Sequence, residues 1–188
     1  YAIRKPILVV DGFAGPGKFD DGTDGSPLLL YKMIRSKREQ SVPASLLAIE
    51  QDTELCGQLR TLFESKPAIE VVNSSFMEQV PRIAELATNH TLFLYLDPFA
   101  VRDYRLSELR DVFALVRDGH SIEVLLNINL LAFVRLVSKW NSDVANGNVG
   151  QDEPVITGCA GGDWWKDALA GKTTSQMASA AREGFENV

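Results

Sequence analysis

Asp11 is followed within six residues by Gly12, Gly15 and Gly17 in the run DGFAGPG. A carboxylate accepts hydrogen bonds from hydroxyls or balances a cation, and glycines allow a turn too tight for any side chain. Glu50, followed by Gln51, supplies a second acid, Asn73-Ser74 an amide and a hydroxyl, and Asp97-Pro98-Phe99-Ala100 a third acid joined to a proline and an aromatic ring. Each group closes an apolar run: ILVV, LLAI, IEVV and TLFLYL. Alone, an acid in that position is a helix cap or a solvated loop residue. Four such groups on one sheet edge are expected to line a binding site, because ligands of open α/β sheets lie outside the carboxyl ends of the strands.

The elements that must position these groups alternate along the chain. Apolar, β-branched runs predict strands over 7–10, 46–50, 69–72, 91–96 and 122–126, short enough to be buried in a parallel sheet. Between them, the polar loop Lys18 to Gly25 (KFDDGTDG) leads to Ser26-Pro27, which reads as N-cap and first helical residue of a helix reaching about Lys37. Asp52 caps a helix to about Ser65, with Leu55, Leu59 and Leu62 on one face, and further helices are expected over 76–87 and from about Leu106 to Arg117. Asn141 to Gly150 (NSDVANGNVG) reads as a loop, and Gly158 to Val188 as less regular helical material. Strand then helix, repeated five times, predicts an open, mostly parallel sheet with helices on both faces. The expected division is a cofactor-binding domain over 1–150 and a C-terminal helical extension, or the start of an accessory region, over 151–188.

Composition bounds the partners. Hydrophobic residues make up 45% and charged residues 23% of the chain, as in a globular protein, and no apolar run approaches the roughly 18 residues of a membrane span. A chain opening at Tyr1 with no signal-like segment is expected to be trimmed and cytoplasmic. Cys56 and Cys159 have no CxxC spacing, so free thiols are expected and no metal site. The net charge is −6, and the best basic cluster, Arg35, Lys37 and Arg38, suits a solvated helix C-terminus. Any nucleic-acid substrate must be gripped largely from elsewhere.

Three ligand classes compete for the glycine turn. Gly12 to Lys18 fits the G-x-x-x-x-G-K of a phosphate-binding P-loop, but Phe19 stands where Ser or Thr must ligate magnesium, and Asp20-Asp21 follow where a helix N-terminus should face phosphates. The G-x-G-x-x-G of nicotinamide-binding proteins has a different glycine spacing. An S-adenosylmethionine site tolerates the pattern: that ligand has no pyrophosphate to seat, and Asp11 or its neighbours can meet its cationic amine.

VDGFAGPGKFDDGTDGSPLLL, LLAIEQD, the strand running into LDPFA, LLNIN and the late GCAGGDWW together resemble the three-Cys-motif partner protein family, whose members resemble class I S-adenosylmethionine-dependent methyltransferases. The likeness spans about Ile7 to Trp165, and DGFAGPG followed by GSP is its most specific part. It implies a Rossmann-like methyltransferase fold, a methyl-donor loop at Asp11, Gly12, Phe13, Ala14, Gly15 and Gly17, a ribose-binding acid at Glu50 beside Gln51, an adenine-side residue at Asn73 or Ser74, and a functional association with a separate three-cysteine-motif protein. The terminal strand pair of a full class I fold has no candidate in this chain, which is expected to stop short of it.

Asp97-Pro98-Phe99 carries the expected chemistry. Enzymes that methylate amino groups of bases have D/N-P-P-Y/F here, where a side-chain oxygen and a proline-fixed carbonyl orient an exocyclic amine and an aromatic ring stacks on the base. Phe99 and Ala100 at the third and fourth places make the match imperfect, and no Pro-Cys pair exists for C5-cytosine attack. Two functions are expected to compete: amino methylation of a base in RNA or DNA, and a catalytically weak module that recognises a partner protein. Asn127 and Asn129 line the same edge or cap a helix, Trp164-Trp165 pack in a core or form a lid or partner surface, and His90 and His120 have no assigned chemistry.

Overall fold

The computed structural model describes residues 5–107, 109–117, 119–148 and 150–187. Tyr1, Glu108 within the expected fourth helix, Val149 in the expected loop and Val188 lie outside them. Five parallel strands, β1 (Ile7–Asp11), β2 (Ala44–Glu50), β3 (Ile69–Asn73), β4 (Thr91–Leu96) and β5 (Ile122–Leu126), form one sheet in the order β3-β2-β1-β4-β5. This is the Rossmann-like α/β architecture expected from the alternating pattern. Register puts Asp11 beside Ala48 and Tyr95, and Glu50 beside Asn73.

Central strands must be apolar on both faces, and β2 is: six of its seven residues are buried. Val9, Leu46 and Ala48 pack on one face against Leu28, Tyr31 and Ile34 of α1 (Ser26–Glu39) and Leu59 and Phe63 of α2 (Thr53–Phe63). Leu8, Val10, Leu47, Ile49, Leu92, Leu94 and Leu96 alternate to the other face and are also buried. α3 (Phe76–Ala87) covers that side through Phe76, Val80 and Ile83, and α4 is Arg110–Arg117. Burial of each such aliphatic side chain contributes roughly 1.5–3 kcal/mol. Opposite faces are required by handedness: connections running from β1 towards β3 and from β4 towards β5 are both right-handed crossovers, so they fall on opposite sides.

The chain divides into two compact units, one of residues 1–97 with 111–127 and one of residues 98–110 with 128–188. The first holds the sheet. The second is built from α5 (Leu130–Ala145), α6 (Glu153–Ala160), α7 (Trp164–Leu169) and α8 (Thr174–Glu186), with a 3-10 turn at Val101–Asp103. Its core is aromatic: the Trp165 ring lies edge-on to Trp140 with centroids 4.9 Å apart, and Phe133 meets Phe185 at 4.9 Å. Trp165 is wholly buried, and Trp164 is half-buried against Phe133 and Phe185.

Four local expectations are corrected. The N-cap of α1 is Gly25, and Ser26 is the first helical residue, its hydroxyl drawn away to Asp11. The buried stripe of α2 is Cys56, Leu59 and Phe63, with Leu55 and Leu62 half-buried. α4 begins at Arg110, because Leu106-Ser107 form a turn in which the Ser107 amide donates to Gly158 O. α5 continues to Ala145 through Asn141-Ser142, where a helix already nucleated by the Asn129 cap overrides weak local propensity. Cys56 and Cys159 are free and buried, and no helix among the described residues is long and apolar enough to cross a membrane.

The turn after β1 is sterically sealed at its first glycine. A Cβ on Gly12 would lie 2.6 Å from Leu96 Cδ2 and 2.9 Å from Phe76 Cδ2. Gly12→Ala is expected to lower unfolding free energy by about 1–3 kcal/mol, the usual cost of overpacking; an unchanged denaturant midpoint would contradict this packing.

Candidate functional site

The carboxyl ends of β1, β2 and β4 converge because a parallel sheet leaves no other place for them. The order β3-β2-β1-β4-β5 reverses direction between β1 and β4, which makes their ends the switch point where α/β sheets open a crevice. Asp11, Glu50 and Asp97 end or follow those three strands.

Glu50 is buried and fixed at both oxygens. Its Oε2 accepts from the Gly15 amide at 2.8 Å and its Oε1 from the Asp52 amide at 2.7 Å. The bond to Gly15 pulls the glycine turn onto the end of β2, helped by the Ala14 amide donating to Ile49 O at 3.0 Å. Gly15 needs its glycine for backbone shape, with φ at +61°, and a Cβ built on it would meet no atom within 4 Å. Gly17 also has positive φ, and its Cβ would strike Leu62 and Leu59. Phe13 is half-buried, its ring 5.7 Å from that of Phe76.

Asn73 and Ser74 are already engaged. The Asn73 amide donates to Glu50 O at 2.9 Å and Gln51 O at 3.0 Å, and its oxygen accepts from Thr53. Ser74 donates from its hydroxyl to Glu78 at 2.8 Å and accepts from Gln79. Both therefore brace the ends of β2 and α3, while the neighbouring Gln51 side chain is exposed.

Asp97 is exposed and accepts from the Asn127 amide at 2.8 Å, so Asn127 joins this edge, whereas Asn129 caps α5 by accepting from the Ala132 amide. The Tyr95 phenol, one register row below, also bonds Asp97; burial, and then the nearby Asp97 and Asp11 charges, hold its proton on above the usual range. In the sequence Tyr95 is hidden inside the apolar run TLFLYL; the alternation of the strand, with Tyr95 in register with Asp11, is the signal that finds it. Pro98 and Phe99 are the first residues of the second unit; Pro98 is buried and Phe99 is 80% exposed.

The glycine turn does not open directly into a helix. Gly25 donates to Gly17 O at 2.9 Å, Lys18 and Asp24 form an antiparallel backbone bridge, and Asp24 pairs with Lys32, so residues 18–25 lie between Gly17 and the start of α1 at Ser26, with carboxylates among them. A phosphate finds no helix N-terminus directly after the glycines.

No family model matches this chain, and no curated protein matches it. The geometry carries the argument alone.

Asp11 is the least comfortable member of the edge. It is 0% exposed, with Oδ2 accepting from Ser26 Oγ at 2.7 Å and Oδ1 from the Phe13 amide at a long 3.4 Å. Burial pushes its carboxyl up to about 6; the two hydrogen bonds pull the other way, and the Asp97 and Glu50 charges push it further up. A folded value above the ordinary 3.8 means that folding favours the protonated acid, so the group's contribution to stability is fullest below about 3.8 and is lost as pH rises through about 6. The displacement corresponds to an order of magnitude of about 3 kcal/mol lost at neutral pH. A buried acid that lowers stability at a sheet edge is a candidate for function. Asp11→Asn, which keeps an acceptor for Ser26, is expected to be more stable than the parent at pH 8 by about 1–3 kcal/mol, the gain shrinking towards pH 4. Denaturant titrations at several pH values would contradict the assignment if the variant gained nothing at pH 8.

Proposed function

We propose that the carboxyl edge binds S-adenosylmethionine and that the chain methylates an amino group of a nucleic-acid base. The observation that carries the cofactor half is the Glu50–Gly15 hydrogen bond, which joins the turn after β1 to the end of β2. It sets a buried carboxylate, with acceptor capacity on both oxygens beyond the two backbone amides, beside a glycine whose missing side chain leaves open space. Two ribose hydroxyls need such an acceptor, and a nucleoside needs such a gap. Asp11 lies on the next strand and supplies the negative charge that an amino-acid ammonium or a sulfonium requires.

Asp97 supports the acceptor half. An exposed carboxylate already accepting from one side-chain amide, Asn127, has the geometry to accept from the exocyclic amine of a base. Pro98 follows with a carbonyl whose position its ring restricts, and the exposed Phe99 offers a stacking surface. When bound, the cofactor would supply the methyl group; Asp97 and the Pro98 carbonyl would accept from the amine, hold its lone pair towards that group and help pass its proton to solvent. With a net charge of −6, this reading assigns most of the phosphate contacts to another polypeptide, consistent with the expected three-cysteine-motif partner.

Calorimetry with S-adenosylmethionine tests the cofactor half: Glu50→Ala is expected to weaken binding by roughly ten- to a hundredfold, as hydrogen bonds to a charged group contribute about 1.5–3 kcal/mol. Equal affinity would remove Glu50 from the site. Gly15→Ala is expected to bind at least tenfold more weakly because its methyl enters the open space, whereas unchanged binding would place the nucleoside elsewhere. For the acceptor half, methyl transfer from labelled cofactor to total RNA and to DNA is expected to fall at least a hundredfold in Asp97→Ala with cofactor affinity retained. An unchanged rate would sink the role given to Asp97.

A further inference from the structure

Three strand ends place their acids around one point, and the balance of charge there is one-sided. Asp11 ends β1, wholly buried. From its own turn it meets only the distant Phe13 amide, and from α1 only the neutral hydroxyl of Ser26. From β2 it faces the Glu50 carboxylate, which accepts from the Gly15 and Asp52 amides. From β4 it faces the Asp97 carboxylate, held by Asn127, and the Tyr95 phenol, which stays protonated. Among the described residues no Lys, Arg or His is paired with Asp11 or enters its charge environment. A buried carboxylate with two acids for neighbours and one short hydrogen bond lacks its counter-charge, and a cation arriving from solution is what completes it.

Resting on the cofactor reading above, we propose that binding of cationic S-adenosylmethionine expels a proton from Asp11, so that the occupancy of the site senses pH. The free protein holds Asp11 partly protonated in mildly acidic solution, because its carboxyl titrates near 6. The bound cation requires the carboxylate, so binding and deprotonation are linked. No bond to carbon changes in this step: the proton leaves the Asp11 carboxyl for solvent as the charge of the bound ammonium or sulfonium, acting through space on this 0%-exposed group, favours the carboxylate. Cofactor affinity is then expected to be about tenfold lower at pH 5 than at pH 7 or above, and binding at pH 6 is expected to release about half a proton.

The experiment is titration calorimetry of S-adenosylmethionine into the protein at pH 5, 6 and 7, each in two buffers of different ionisation heat. Protons released at pH 6 by the parent and not by Asp11→Asn support the proposal; subtracting the variant cancels the ligand's own ammonium and the two histidines. A second arm keeps the test alive should Asp11→Asn fold poorly: 5′-deoxy-5′-methylthioadenosine, which has the adenosine but neither cation, is expected to bind the parent without releasing protons. S-adenosylmethionine binding with no proton release at pH 6, with equal release from the variant, or with equal release for the uncharged analogue overturns the linkage and leaves the cofactor reading standing. Absence of S-adenosylmethionine binding at every pH overturns the cofactor reading, and the linkage with it.

Discussion

One buried hydrogen bond, from the Gly15 amide to the Glu50 carboxylate, fixes how the polar groups of the sheet edge are arranged. An unpaired acid in that position would carry a desolvation cost of several kcal/mol. The chain meets the cost with main-chain donors on both oxygens, Gly15 on one side and Asp52 on the other. The same bond forces the turn after β1 to lie across the end of β2, and only a glycine at φ +61° follows that path easily. From it follow the open space beside Gly15 and the approach of Asp11 to Glu50.

Satisfaction at one acid sharpens the problem at the next. Glu50 has a backbone donor on each oxygen, while Asp11, on the neighbouring strand, has a hydroxyl and a long amide contact. The fold would be more comfortable with a neutral group there. The proposed cation site would need the opposite, and the loss of stability would then be the ordinary trade-off between a well-packed edge and a useful one. Asp97 differs from both in being exposed and side-chain bonded, which suits a group that must exchange its partner with an incoming molecule.

Much of the fold was legible because the strands are short apolar runs closed by polar residues. The bounds of α3, β4 and β5 follow directly from that pattern, and the parallel sheet follows from the alternation. What was not legible depends on groups distant in sequence. Ser26 looks like a helix cap until Asp11, fifteen residues earlier, is seen to accept from its hydroxyl. Asn73 reads from the sequence as an adenine-side residue, and only the structure shows its amide donating to Glu50 O and Gln51 O. Tyr95 is hidden by its apolar neighbours, and α5 runs through Asn141-Ser142 because packing of Phe133, Val134 and Val137 outweighs local preference. The candidate site was thus visible as a set of strand ends, and its internal bonding was visible only in three dimensions.

The proposed site holds a nucleoside across the ends of β1, β2 and β4. The most direct measurement is a crystal structure of the chain grown with S-adenosylmethionine. The expected result is density for the ribose against the Glu50 carboxylate, the adenosine in the space beside Gly15 and the amino-acid end towards Asp11. Density on another surface, or a complete structure at saturating cofactor with Glu50 and Gly15 bonded and nothing beside them, would contradict it.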